Sequence, residues 1–136
     1  MIQKIHHIAI AVRKIEERMP FYTDQLGLRV REVKEVASEG VRIAFIPCGE
    51  TLIELVEPLS ADHTVARFIE KRGEGLHHIC FQTPDIQAEI AGLKGHGCTF
   101  VNDEPKLGAD GLIAFLHPKS SGGVLVELVQ QVESET

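Results

Sequence analysis

The amino-acid sequence predicts an α+β fold, mostly β, built from two pseudo-symmetric βαβββ modules in a single domain of 136 residues. Three observations carry this. Lys4-Ile5-His6-His7-Ile8-Ala9-Ile10 returns as Gly75-Leu76-His77-His78-Ile79-Cys80-Phe81, with the second His pair 71 residues after the first. Each copy leads through a short polar turn into an amphipathic stretch. Each half then closes on matched apolar segments: Ala44-Phe45-Ile46 with Leu52-Ile53-Glu54-Leu55-Val56, and Ala114-Phe115-Leu116 with Leu125-Val126-Glu127-Leu128-Val129. Repetition on this scale means one structural plan used twice.

Module one, about residues 1–60, should open with a strand over 4–12 and a helix over 14–26 that stops before Gly27. Pro20 falls inside that helix, where it removes a hydrogen bond and should delay or bend it. Strands follow at about 29–37, 41–47 and 51–57. A connecting helix over about 62–72 presents Val65, Ala66, Phe68 and Ile69, and Gly73 and Gly75 end it. Module two, about 74–132, repeats the order with a strand at 76–83 and a helix capped by Asp85 that runs to Gly95. Ile86, Ile90 and Leu93 share one face of that helix. Its further strands are expected near 98–102, 112–117 and 123–130, with a loop from Asn102 to Gly111 and a plain turn at Gly122-Gly123.

Composition narrows the function classes. Apolar residues are 43% and charged residues 25%, as in an ordinary globular chain. A net charge of −6 argues against a nucleic-acid partner, whose phosphates it would repel. No apolar run approaches membrane-spanning length, and residues 1–7 have no signal-like apolar region, so no membrane partner and a cytoplasmic location are expected. Cys48, Cys80 and Cys98 form no C-x-x-C and read as reduced, small apolar fillers.

The chemistry sits in polar residues on apolar strands. Alternation places His7 with Ile5, Ala9 and Ala11, opposite Ile8, Ile10 and Val12. Glu54 lies between Leu52 and Val56 on its own face, and Glu127 between Leu125 and Val129. An ionised carboxylate there is costly to desolvate without a partner. Any one of these residues alone would suit a hydrogen-bonded or solvated position. Four of them at matched positions point to a divalent metal held by His7, Glu54, His78 and Glu127. His6 and His77 should then point outward. His63 should cap its helix or lie exposed, and His96 and His117 should sit in loops.

The repeated module with this His, Glu, His, Glu order resembles the vicinal-oxygen-chelate superfamily, which includes glyoxalase I, extradiol dioxygenases and antibiotic-resistance binding proteins. The resemblance spans essentially the whole chain. It implies a curved, mostly antiparallel half-open barrel around the metal site. Within the superfamily, Arg72-Gly73-Glu74-Gly75-Leu76-His77-His78-Ile79, Glu104-Pro105-Lys106-Leu107-Gly108-Ala109 and His117-Pro118-Lys119-Ser120-Ser121-Gly122-Gly123 look like the methylmalonyl-CoA epimerase family.

That resemblance implies an isomerase acting on an acyl-CoA, a homodimer, and one divalent ion per site. Cobalt, manganese, nickel and zinc all suit the donors, and the family favours cobalt. The carbon between thioester and carboxylate loses its proton only when the enolate is stabilised, which a Lewis acid does. Epimerisation also needs acid/base groups on both faces. Glu127 and Glu54 are the catalytic candidates. Some family members carry a further Glu where this chain has Ile43, so the second base falls to Glu54 or, more weakly, Glu39. Lys106, Lys119 and Ser121 lie in loops that could approach the carboxylate or CoA phosphates. The alternatives are a glyoxalase I-like lactoylglutathione lyase, against which the 117–123 turn argues, and a metal-free resistance-type binding protein. An extradiol dioxygenase ranks last.

Overall fold

The structure is a computed structural model that describes residues 1–102 and 104–132. The described residues divide into two compact units, 7–77 and 1–6 with those from 78 to 132. Among the described residues eight strands and three α-helices follow in the order β1 (Lys4–Ala11), α1 (Ile15–Pro20), β2 (Glu32–Val36), β3 (Val41–Cys48), β4 (Thr51–Pro58), α2 (Thr64–Arg72), β5 (Gly75–Gln82), α3 (Ile86–Gly95), β6 (Lys106–Leu107), β7 (Leu112–Leu116) and β8 (Val126–Gln130). The expected α+β class and the double βαβββ order are both present.

In the first unit the strands lie in the order β2-β3-β4-β1. The two hairpin ladders are antiparallel, and β1 joins β4 in parallel. Ala44, Ile46 and Leu55 meet Val12 and Ile15 in a core with Tyr22 and Met19 at its margin. Pro20 does bend the helix. It ends α1, and Phe21–Gln25 continue as one wide π turn in which the Leu26 amide bonds the Phe21 carbonyl, five residues back, at 3.0 Å. Thr23 Oγ1 donates to the Met19 carbonyl at 3.2 Å across the same step.

Glu57 secures the other end of α1. Its Oε1 accepts from the amide of Ile15, the first helical residue, at 2.8 Å, where Lys14 supplies no cap. Arg42 Nη2 donates to the same carboxylate at 2.9 Å and also reaches Glu16. The hydrogen bonds it donates to Glu57 and then Glu16 hold the Arg42 guanidinium firmly charged, above its ordinary pKa. Glu74 ties this region to the start of β5, accepting from the Arg13 amide and from Arg18 Nε, each at 2.8 Å. The Arg18 hydrogen bond, then the Arg13 amide, lower the Glu74 pKa against the opposing effect of burial. His63 Nδ1 accepts from the Val65 amide at 3.1 Å, so the expected cap of α2 is formed. Its Nε2 therefore carries the proton and donates to the Glu39 carbonyl at 2.8 Å.

In the second unit the order is β5-β8-β7-β6, with β5 and β8 parallel. Ile86 and Ile90 of α3 pack on Phe100, Ala114, Leu116 and Leu128. Asp85 caps α3 as expected, its Oδ1 accepting from the Ala88 amide at 3.1 Å. Gln130 Oε1 accepts from the Ile86 amide at 2.9 Å, the counterpart of the Glu57–Ile15 bond. The expected strand at 98–102 is reduced to one bridge, Phe100 to Leu116. Between the Gly97 turn, at φ 88°, and the bend at Val101–Asn102 there is room for no more. A two-residue strand, β6, forms instead inside the expected loop 102–111, of which Asp103 lies outside the described residues. Gly111 at φ 138° is required where it stands, because a Cβ there would meet the Gln130 carbonyl oxygen at 2.4 Å.

All three cysteines are free. Cys80 is the buried filler expected and Cys98 is half-buried, but Cys48 is exposed because it ends β3 at the Gly49-Glu50 hairpin tip. Among the described residues no helix is long and apolar enough to cross a membrane.

Truncating Glu57 to Ala should cost about 2 kcal/mol, since it orphans a helix amide and a paired cation, and Gln130→Ala about 1 kcal/mol. Urea unfolding measures both, and equal or negligible losses would contradict this account. For Glu74 the folded pKa is depressed, so its contribution is complete above the ordinary carboxylate range and lost as pH falls through the lowered value. The stability gap between wild type and Glu74→Gln should hold steady near neutrality and close below about pH 4.

Candidate active site

In residues 7–77 the parallel register sets Ala9 of β1 opposite Glu54 of β4. His7, two residues before Ala9, is therefore a diagonal neighbour of Glu54 on the same face. His7 Nδ1 and Glu54 Oε2 are 3.3 Å apart, and both residues are 2% exposed. On the other side of Glu54, β3 places Phe45 directly opposite it, and Ile43 opposite Val56.

Residues 78–130 repeat this arrangement pair for pair. Cys80 stands opposite Glu127, two residues after His78. His78 Nε2 and Glu127 Oε1 are 3.0 Å apart. Phe115 faces Glu127 across β7, and Ile113 faces Val129. The His78 and Phe115 rings meet edge to face at 5.3 Å. The two halves differ in the nitrogen used, Nδ1 in His7 and Nε2 in His78.

These separations fit a metal. Donor atoms about 2.1 Å from one first-row ion, at angles of roughly 90–109°, stand about 3.0–3.4 Å apart. Neutral imidazole with carboxylate is also a donor pair that first-row divalent ions accept. Without an ion, each carboxylate can instead take a hydrogen bond from its imidazole, which also offsets its desolvation.

Residues 6–116 match the model of the glyoxalase/bleomycin resistance protein/dioxygenase superfamily. The chain belongs to that superfamily. It is 40% identical over 129 residues to the mitochondrial methylmalonyl-CoA epimerase of Mus musculus, covering 93% of this chain and 72% of that one. To an ethylmalonyl-CoA/methylmalonyl-CoA epimerase of Cereibacter sphaeroides it is 41% identical over 133 residues, 96% and 99% of the two chains. A solved structure of methylmalonyl-CoA epimerase in complex with methylmalonyl-CoA and ammonium is similar at a TM-score of 0.90, with 34% identity over 100% of this chain and 99% of that one.

The other histidines of this superfamily member have separate surroundings. His6 does not point outward: it is 5% exposed, and its Nε2 lies 3.5 Å from Gln131 Nε2. Residues 1–6 pack with the second unit, which covers a side chain that strand alternation alone leaves open. His77 is half-buried because its ring sits edge-on to Phe68 of α2, at 4.9 Å. His96 is exposed at the end of α3, and His117 Nδ1 accepts from the Lys119 amide in the 117–123 turn. Gly123 donates to the Pro118 carbonyl at 2.8 Å, so Gly122-Gly123 closes a turn as expected. Glu39 lies in the 3-10 turn before β3, away from the His7–Glu54 strands. The matched segments that hold Phe45 and Phe115 are evident in the sequence, but not that these rings stand opposite Glu54 and Glu127, with Ile43 and Ile113 at equivalent positions beside them.

Cys80 stands beside Glu127 at 0% exposure, whereas Cys48 is open. Brief treatment of native protein with iodoacetamide should alkylate Cys48 and spare Cys80 until unfolding, as read by peptide mass mapping. Early labelling of Cys80 would contradict the burial of this face.

Proposed function

We propose that the chain is a metal-dependent methylmalonyl-CoA epimerase, interconverting the (R) and (S) forms by removal and return of the α-proton. The observation that carries this reading is the same His–Glu pair at the same register in both modules, in a chain about 40% identical to enzymes bearing that name. The proposed ligands are His7, Glu54, His78 and Glu127, so that each module contributes half of the donor set and residues 1–136 act as one domain. Bound there, a divalent ion supplies the Lewis acidity that makes the α-proton of a thioester removable. Cobalt is the favoured ion, with manganese, nickel and zinc as substitutes.

Glu127 and Glu54 are the proposed acid/base pair. Each is a buried carboxylate beside an imidazole and an aromatic ring, in surroundings that exclude water and favour proton transfer to and from carbon. Ile43 is 5% exposed on the Glu54 face and cannot take a proton, so Glu54 has the second role. The cytoplasm is the proposed location, in keeping with three free cysteines, and a homodimer the proposed assembly.

Proton–deuterium exchange at the α-carbon of (S)-methylmalonyl-CoA, followed by NMR before and after removal and restoration of cobalt, tests the reading. Metal-dependent exchange with conversion to the other epimer is expected. Glu127→Gln and Glu54→Gln should each lower conversion by about 10²–10⁴-fold, and each should leave wash-out of label from one epimer only. His7→Ala and His78→Ala should lower the metal-to-protein ratio. No exchange with any of the four metals would sink the epimerase assignment. Wash-out from both epimers in Glu54→Gln would remove Glu54 as the second base.

A further inference from the structure

The internal repeat extends one strand beyond the His–Glu pairs. In the first module Lys34 of β2 stands opposite Ile43, which stands opposite Val56 of β4. In the second, Lys106 of β6 stands opposite Ile113, which stands opposite Val129 of β8. Residues opposed in a ladder share a face, so each lysine lies on the face of its own module that bears the glutamate. Among the described strand residues Lys34 is the one Lys or Arg on that face in module one, and Lys106 in module two. Both are exposed on short edge strands.

Each lysine is two strands from its glutamate, about 10 Å across the sheet, and two residues along it, roughly 7 Å. With the reach of its stem, the ammonium comes within the span of one ligand held at that glutamate. A net charge of −6 makes this placement consequential, because an anionic substrate meets a repelling surface except where local cations offset it.

We propose that Lys34 and Lys106 are the anion-recognition residues for the acyl-CoA, neutralising its carboxylate or its nucleotide phosphates. This rests on the acyl-CoA reading above. An ammonium at the open rim binds such groups while both stay partly hydrated, so it should govern substrate affinity and leave the proton transfers untouched.

The test is calorimetric binding together with steady-state kinetics for wild type, Lys34→Met, Lys106→Met and the double variant, with Lys71→Met on α2 as the control. Three ligands separate the sources of charge: methylmalonyl-CoA, propionyl-CoA without the carboxylate, and methylmalonyl-pantetheine without the nucleotide phosphates. The double variant should bind methylmalonyl-CoA at least tenfold more weakly and raise KM in proportion, with kcat within twofold. An effect kept with propionyl-CoA and lost with methylmalonyl-pantetheine assigns the phosphates, and the reverse assigns the carboxylate. Binding within twofold of wild type, or equal weakening with all three ligands, overturns the proposal. Wild type that binds acyl-CoA without epimerising it would fail the epimerase reading alone, because binding needs no turnover.

Discussion

The register of the two parallel ladders is the constraint on which the rest depends. Ala9 opposite Glu54 and Cys80 opposite Glu127 set each glutamate diagonally beside the histidine two residues upstream. A slip of one residue would send each carboxylate to the helix side of its sheet. There Leu55 and Leu128 now pack in apolar cores. The same register carries Glu57 and Gln130, three residues past the glutamates, to the first amides of α1 and α3. Strand pairing, helix placement and donor placement are thus one arrangement made twice.

The two faces of each sheet are held by different means. On the helix side, cohesion comes from apolar burial, as Ala44, Ile46 and Leu55 meet Val12 and Ile15, and from the hydrogen bonds that the Ile15 and Ile86 amides donate to Glu57 and Gln130. On the other side, buried histidine and glutamate interrupt an otherwise apolar surface of Ala9, Ala11, Ile43, Phe45 and Val56. Small residues at 9 and 80 keep the space between each imidazole and its carboxylate open. The apolar neighbours lower the local dielectric, which strengthens each imidazole–carboxylate interaction and makes an uncompensated carboxylate expensive.

What the sequence revealed follows from the range of each interaction. Caps at His63 and Asp85 act within three residues, so local pattern announces them. Pro20 acts through its own ring and missing amide, and its bend was equally legible. The four metal candidates became visible because the repeat supplied a second reading of each position. Glu57 was not legible, because its partner Ile15 is 42 residues away and a glutamate near a strand end is usually solvated. Segment 98–102 looked like a strand by composition, yet pairing length is decided by the turns on either side. His6 was misjudged because alternation assigns a face, whereas burial depends on what else covers that face.

The repeat also bears on the proposed second base. Position 43 is isoleucine, and its counterpart, Ile113, sits at the same register in module two, so neither half offers a carboxylate there. On the glutamate face of module one the other paired carboxylate is Glu32, opposite Phe45 on the exposed edge strand. Two strands, about 10 Å, separate it from the Glu54 position, too far for it to take a proton from a carbon held beside His7. Glu39 contributes its carbonyl to His63 from a turn outside the face. This supports Glu54 as the proposed second acid/base group on this module. The chain would then combine ligation and proton transfer in one carboxylate on each side, which suits a reaction whose two directions are mirror images at carbon.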